Sequence, residues 1–79
     1  MARGKSNWTF NDVEKFLRSH GFVLHHTRGS HHYYRGLAHG QLHMTHVQYH
    51  GSKAIHPKTL GSIIKQSGIS EKEWLNWEL

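Results

Sequence analysis

Between Phe22 and Tyr49 the chain is written in short runs of strand-forming residues broken by glycine, while on either side of that stretch the apolar spacing is helical. The sharpest break is Gly29-Ser30. A strand over residues 22–28 must reverse there, because glycine admits the positive φ of a tight turn and serine bonds to nearby backbone. Residues 31–35 then read as a second strand, a loop with Gly36, His39 and Gly40 follows, and residues 42–49 form a third strand. Short connections between successive strands imply an antiparallel meander. Ahead of it, Thr9 and Asp12 fit a capping box, and Phe10, Val13, Phe16 and Leu17 share a helix face that Gly21 ends. After it, Pro57 opens a helix with Leu60, Ile63 and Ile64 on one face, and Gly68 closes it. Ser70 and Glu73 repeat the capping-box spacing before a last short helix that carries Trp74, Leu75 and Trp77.

This order predicts an α+β fold, α-β-β-β-α, with two helices on one face of a three-stranded antiparallel sheet and a short extra C-terminal helix. The other face of the sheet stays open to solvent or a ligand. The 79 residues make a single domain, 1–79, with 1–8 a loose leading segment that becomes ordered near Trp8. A chain this short buries only about 60% of its unfolded surface, so its stability is modest. It has no cysteine, which excludes a disulfide framework and a thiolate zinc site. No stretch reaches the ~20 apolar residues of a membrane span, and the basic start, Met1 to Lys5, is not followed by the apolar run of a signal peptide. A cytoplasmic protein without membrane contact is the expectation.

Lys and Arg number 10 against 5 acidic residues, a formal charge of +5, so polyanions are plausible partners. Such an excess also serves solubility alone. Ten histidines are the more unusual feature, and an unperturbed pKa of about 6.5 suits them to proton transfer, metal binding or pH sensing. Strand alternation places His31, Tyr33 and Arg35 on one face and His32 and Tyr34 on the other, so only one histidine of the pair enters a given site. An ordinary hairpin with polar residues on its wet face has the same pattern.

The block Gly29-Ser30-His31-His32-Tyr33-Tyr34-Arg35, followed by a strand and then by Thr-Leu-Gly-Ser-Ile-Ile-Lys-Gln-Ser-Gly-Ile over residues 59–69, resembles the HicA-type (YcfA-like) toxins. The resemblance covers about residues 12–69. It implies a double-stranded-RNA-binding-like fold and an mRNA interferase, an endoribonuclease that blocks translation and is held inactive by a HicB-like antitoxin. It selects His31, directly after Gly-Ser, as the catalytic histidine, with His32 as the alternative. Where many members carry Val-Pro-x-His, this chain has Val47-Gln48-Tyr49-His50, so the rigid strand ending is absent. His50 is then either a second catalytic group or a satisfied strand-end histidine.

The chemistry fits without metal or cofactor. One group removes the 2′-hydroxyl proton, the oxygen attacks the adjacent phosphorus, and the leaving 5′ oxygen is protonated; a histidine can perform either transfer. Arg28 or Arg35 can stabilise the charge that gathers on the non-bridging oxygens, and Tyr33 can orient a base or sugar. Ser30, Lys53 and Lys58 complete the candidate RNA-binding groups.

The remaining histidines divide by position. His20, before Gly21, caps the helix C-terminus and complements its dipole, His39 falls in a loop, and His25, His26, His43, His46 and His56 either line the RNA face or stand in for other polar residues. A regular strand metal site prefers i and i+2, whereas His43 and His46 are three apart. Trp74 and Trp77 either cover the end of the core or form a docking surface. Two other functions stay open beside the ribonuclease: a non-catalytic double-stranded-RNA-binding module and a histidine-rich metal-binding protein.

Overall fold

In the computed structural model, residues 4–77 are described, and the first three residues of the leading segment lie outside them. The elements are α1 (Phe10–Ser19), β1 (Val23–Arg28), β2 (His31–Ala38), β3 (Gln41–Gln48), α2 (Pro57–Ser67) and α3 (Glu71–Leu75). The sheet order is β1-β2-β3, antiparallel throughout. The α-β-β-β-α order and the final short helix are those expected from the sequence.

Local chemistry accounts for the boundaries. Asp12 N–H donates to Thr9 Oγ1 at 3.3 Å and Thr9 N–H to Asp12 Oδ2 at 3.0 Å, a closed capping box at the start of α1. At its far end His20 is the C-cap, with Nδ1 2.9 Å from the carbonyl of Phe16. Pro57 occupies the first turn of α2, where Lys58 N–H donates to Nδ1 of His56 at 3.1 Å. His56 is thus an N-cap.

The second strand runs three residues further than expected. Gly36 is not in a loop but inside β2, because the Phe22 ring fills the space a side chain would take: a Cβ there would lie 2.7 Å from that ring. The β2–β3 connection shrinks to His39-Gly40, both at positive φ, +54° and +78°. That two-residue turn sets the register Leu37 to Leu42, Arg35 to Met44, Tyr33 to His46 and His31 to Gln48.

Both helices cover one face. Tyr34 and Thr45 pair across β2 and β3; Tyr34 donates to Glu14 of α1 at 2.6 Å, and Thr45 Oγ1 lies 3.3 Å from the Ile63 carbonyl of α2. Beneath them an aromatic cluster closes the core: Phe16 stacks on Trp74 at 3.8 Å, Trp8 lies 5.6 Å from Trp74, and Trp77 packs against the same group. Trp8 is held there by its own backbone, whose carbonyl accepts from Ile55 N–H at 2.6 Å. Buried Ser67 satisfies three groups, donating to the Ile64 carbonyl and accepting from Ile69 N–H and the Trp74 indole.

Candidate active site

On the uncovered face, alternation brings His31, Tyr33 and Arg35 of β2 together, as expected. A register shift between Leu24 and His26 makes β1 contribute as well, with His26 opposite Tyr33 and Arg28 opposite His31. From β3 the register adds His46 and Gln48. The result is a continuous set of rings across all three strands. His26 stacks on Tyr33 at 4.4 Å and 8°, and Tyr33 stacks on His46 at 5.1 Å and 25°. His46 lies diagonally across from His31, with ring centroids 5.7 Å apart.

His31 is half-buried, and its Nδ1 has neither solvent access nor a hydrogen-bond partner; among the described residues no other buried side-chain polar atom is left so. An unmade bond of this kind costs roughly 1–3 kcal/mol, and such exceptions call for an explanation beyond packing. With Nδ1 closed off, Nε2 is the nitrogen free to exchange a proton with a substrate. The Gly29-Ser30 turn beside it is tied to β3: Gln48 donates to Ser30 Oγ at 3.2 Å, and Tyr49 N–H donates to the Ser30 carbonyl at 2.8 Å. Gly29 takes the positive φ the turn requires, +60°.

His32 goes elsewhere. It faces the helices, edge-on to Phe10 at 4.9 Å, with Nδ1 3.2 Å from the Ser30 carbonyl. His50 and Lys53 line a third region, a cleft of about 370 Å³ bounded by Val47, Ile55 and the first turn of α2. Lys58 is exposed on that same turn. The structure therefore joins His31, Tyr33, Arg28 and Arg35 on one surface and turns His32 away from them, while the His50–Lys53 cleft meets that surface at Gln48.

Charge is distributed with the same bias. Every acidic residue lies at 12, 14, 71, 73 or 78, so residues 22–67, comprising the whole sheet and α2, contain Arg28, Arg35, Lys53, Lys58 and Lys65 but no carboxylate. Among the described residues neither Arg28 nor Arg35 is in an ion pair. A surface of unpaired cations and flat rings without acidic groups favours a polyanion. Among the same residues no group of three or more His, Cys, Asp or Glu is placed to hold a metal ion.

A family model described as HicA toxin of bacterial toxin-antitoxin matches residues 10–69. The chain belongs to the HicA toxin family. The matched stretch begins with α1 and ends just past α2, so it includes the whole sheet and the Gly29-Ser30-His31 turn. Membership makes it the toxin of a toxin-antitoxin system, with an antitoxin as partner. No curated protein and no solved structure matches the chain. No described helix is long and apolar enough to cross a membrane.

His26 and His46 are the site residues that sequence reasoning did not single out. For His46 the signal was present in the two-residue turn at His39-Gly40, which determines that it opposes Tyr33, and a loop at Gly36 hides that register; His26 is placed by the irregularity in β1, which no local residue signals.

Proposed function

We propose that this HicA toxin is an endoribonuclease of the cytoplasm that cleaves mRNA without a metal, with His31 as its catalytic histidine. The observation that carries the reading is the position of His31: on the open, carboxylate-free face, between Arg28 and Gln48 in register, with a stranded Nδ1 and a neighbouring imidazole. Nε2 of His31 takes the proton from a 2′-hydroxyl as that oxygen attacks the adjacent phosphorus. Arg28 and Arg35 balance the charge that develops on the phosphoryl oxygens. Tyr33, fixed between two imidazoles, presents its hydroxyl to a base or sugar. Ser30 orders the turn, while Lys53 and Lys58 extend the cationic surface along the cleft and α2 for backbone phosphates. A HicB-like antitoxin silences the toxin by covering this face.

The test is inducible expression of wild type against His31→Ala, together with cleavage of mRNA by the purified proteins. His31→Ala is expected to lose cleavage by about 10²–10⁴-fold and to permit growth, while its melting temperature and most RNA binding stay unchanged. A His31→Ala protein that still cuts RNA or still arrests growth refutes the mechanism. If wild type binds RNA but does not cut it, the chain is a binding module.

A further inference from the structure

We infer that His46 is the second proton-transfer group of this site, acting as general acid opposite His31 as general base. The inference rests on the ribonuclease reading above and adds the residue that reading lacks. In-line displacement at phosphorus has an entering and a leaving oxygen on opposite sides, and a single imidazole does not serve both at once. Two rings on one surface, near each other but not bonded to each other, meet that need.

His31 and His46 are such a pair. They are diagonal neighbours on β2 and β3, 5.7 Å apart at ring centroids and tilted by 48°, and no hydrogen bond joins them. Neither ring therefore occupies the other's proton site. His46 is also the more precisely held of the two. Its ring stacks on Tyr33, which stacks in turn on His26, so the column across the sheet sets its angle. The titratable and charged groups around this column are His26 and Arg28 from β1, His25 beside them with its Nδ1 2.6 Å from Nδ1 of His26, and His31, Tyr33 and Arg35 from β2; none is a carboxylate. Tyr33 thus becomes a positioning residue for the acid.

The step balances as follows. Nε2 of neutral His31 removes the 2′-hydroxyl proton, and the 2′ oxygen forms a bond to phosphorus. The P–O5′ bond breaks with its electron pair on O5′, which takes a proton from the His46 imidazolium. The products are a 2′,3′-cyclic phosphate and a 5′-hydroxyl; each ring ends in the other protonation state and is reset by water.

The experiment compares wild type, His46→Ala, His46→Gln and His50→Ala on an mRNA fragment that wild type cuts. The fragment is made with its natural linkage and also with sulfur replacing the 5′-bridging oxygen, because a thiolate leaves without needing a proton. Both His46 variants are expected to lose about 10²–10⁴-fold on the natural linkage and to cut the sulfur linkage at near wild-type rate. They are also expected to lose the alkaline descending limb of the kcat/KM–pH profile, which reports an acid that must be protonated. Equal losses on both linkages, an unchanged profile, or sulfur rescue in His50→Ala instead would overturn the assignment. Near wild-type cutting of the sulfur linkage itself shows that a variant is folded. If wild type cuts no mRNA fragment at all, it is the ribonuclease reading that is refuted.

Discussion

Tyr33 and Tyr34 are adjacent in β2 and have nothing in common but their side chain. Tyr34 is fully buried under α1, its hydroxyl bonded to Glu14, in a layer where Thr45 and Ser67 are likewise satisfied. Tyr33 stands on the other face among His26, His31 and His46, beside unpaired arginines and the stranded Nδ1 of His31. The covered face is finished: its apolar groups are packed and its polar groups paired, which is what stability requires. The open face carries unmet bonding capacity, which a ligand can use. One sheet separates the two tasks because successive residues of a strand point to opposite sides.

The comparison breaks if open-face substitutions cost as much stability as covered-face ones. The largest expected effect is at Trp74, completely buried against Phe16 and Trp8. Trp74→Ala should cost about 3–5 kcal/mol, against roughly 4–12 kcal/mol for an entire domain of this size, and chemical denaturation should show a large fall in its unfolding midpoint. Tyr34→Phe comes next. Losing its bond to Glu14 should lower stability by about 1.5–3 kcal/mol in the same measurement.

The same substitution has a pH signature. Burial first, and then the bond to Glu14, push the Tyr34 hydroxyl well above its ordinary range. A folded-state pKa raised in this way leaves its contribution fully present below about pH 10, the unfolded value, and removes it progressively as pH rises further. Melting temperature should therefore fall more steeply above about pH 10 in wild type than in Tyr34→Phe, and equal slopes would show that Tyr34 is not the group responsible. The smallest effect is expected on the open face. Leu42, 63% exposed opposite Leu37, should tolerate Leu42→Thr within about 0.5 kcal/mol by thermal melting. A loss beyond 2 kcal/mol there would mean that this face contributes to the core after all.

Much of the fold was legible because its signals are local. Thr9 with Asp12, Pro57, Gly68 and Ser70 mark helix ends through bonds and torsions that need no distant partner. Gly36 was misread for the opposite reason: its glycine signals the close approach of Phe22, fourteen positions away in the chain, and not a turn. His20 is the helix cap that its place before Gly21 indicates, whereas His56, which the sequence left between the RNA face and a polar substitute, takes a specific bond at a helix start.

The site divides along the same line. The sequence by itself determined the α+β order, the reversal at Gly29-Ser30, the family and the parity that puts His31, Tyr33 and Arg35 on one face, because these depend on residue types and on a period of two. Only the tertiary structure decided that His26 and His46 join them, that His31 keeps an unpaired Nδ1, and that His32 turns toward Phe10. Those outcomes depend on a bulge in β1, on the register set by a two-residue turn and on which face the helices cover. Each is a relation between segments far apart in the chain, and a one-residue slip would have moved every one of these rings to the other side.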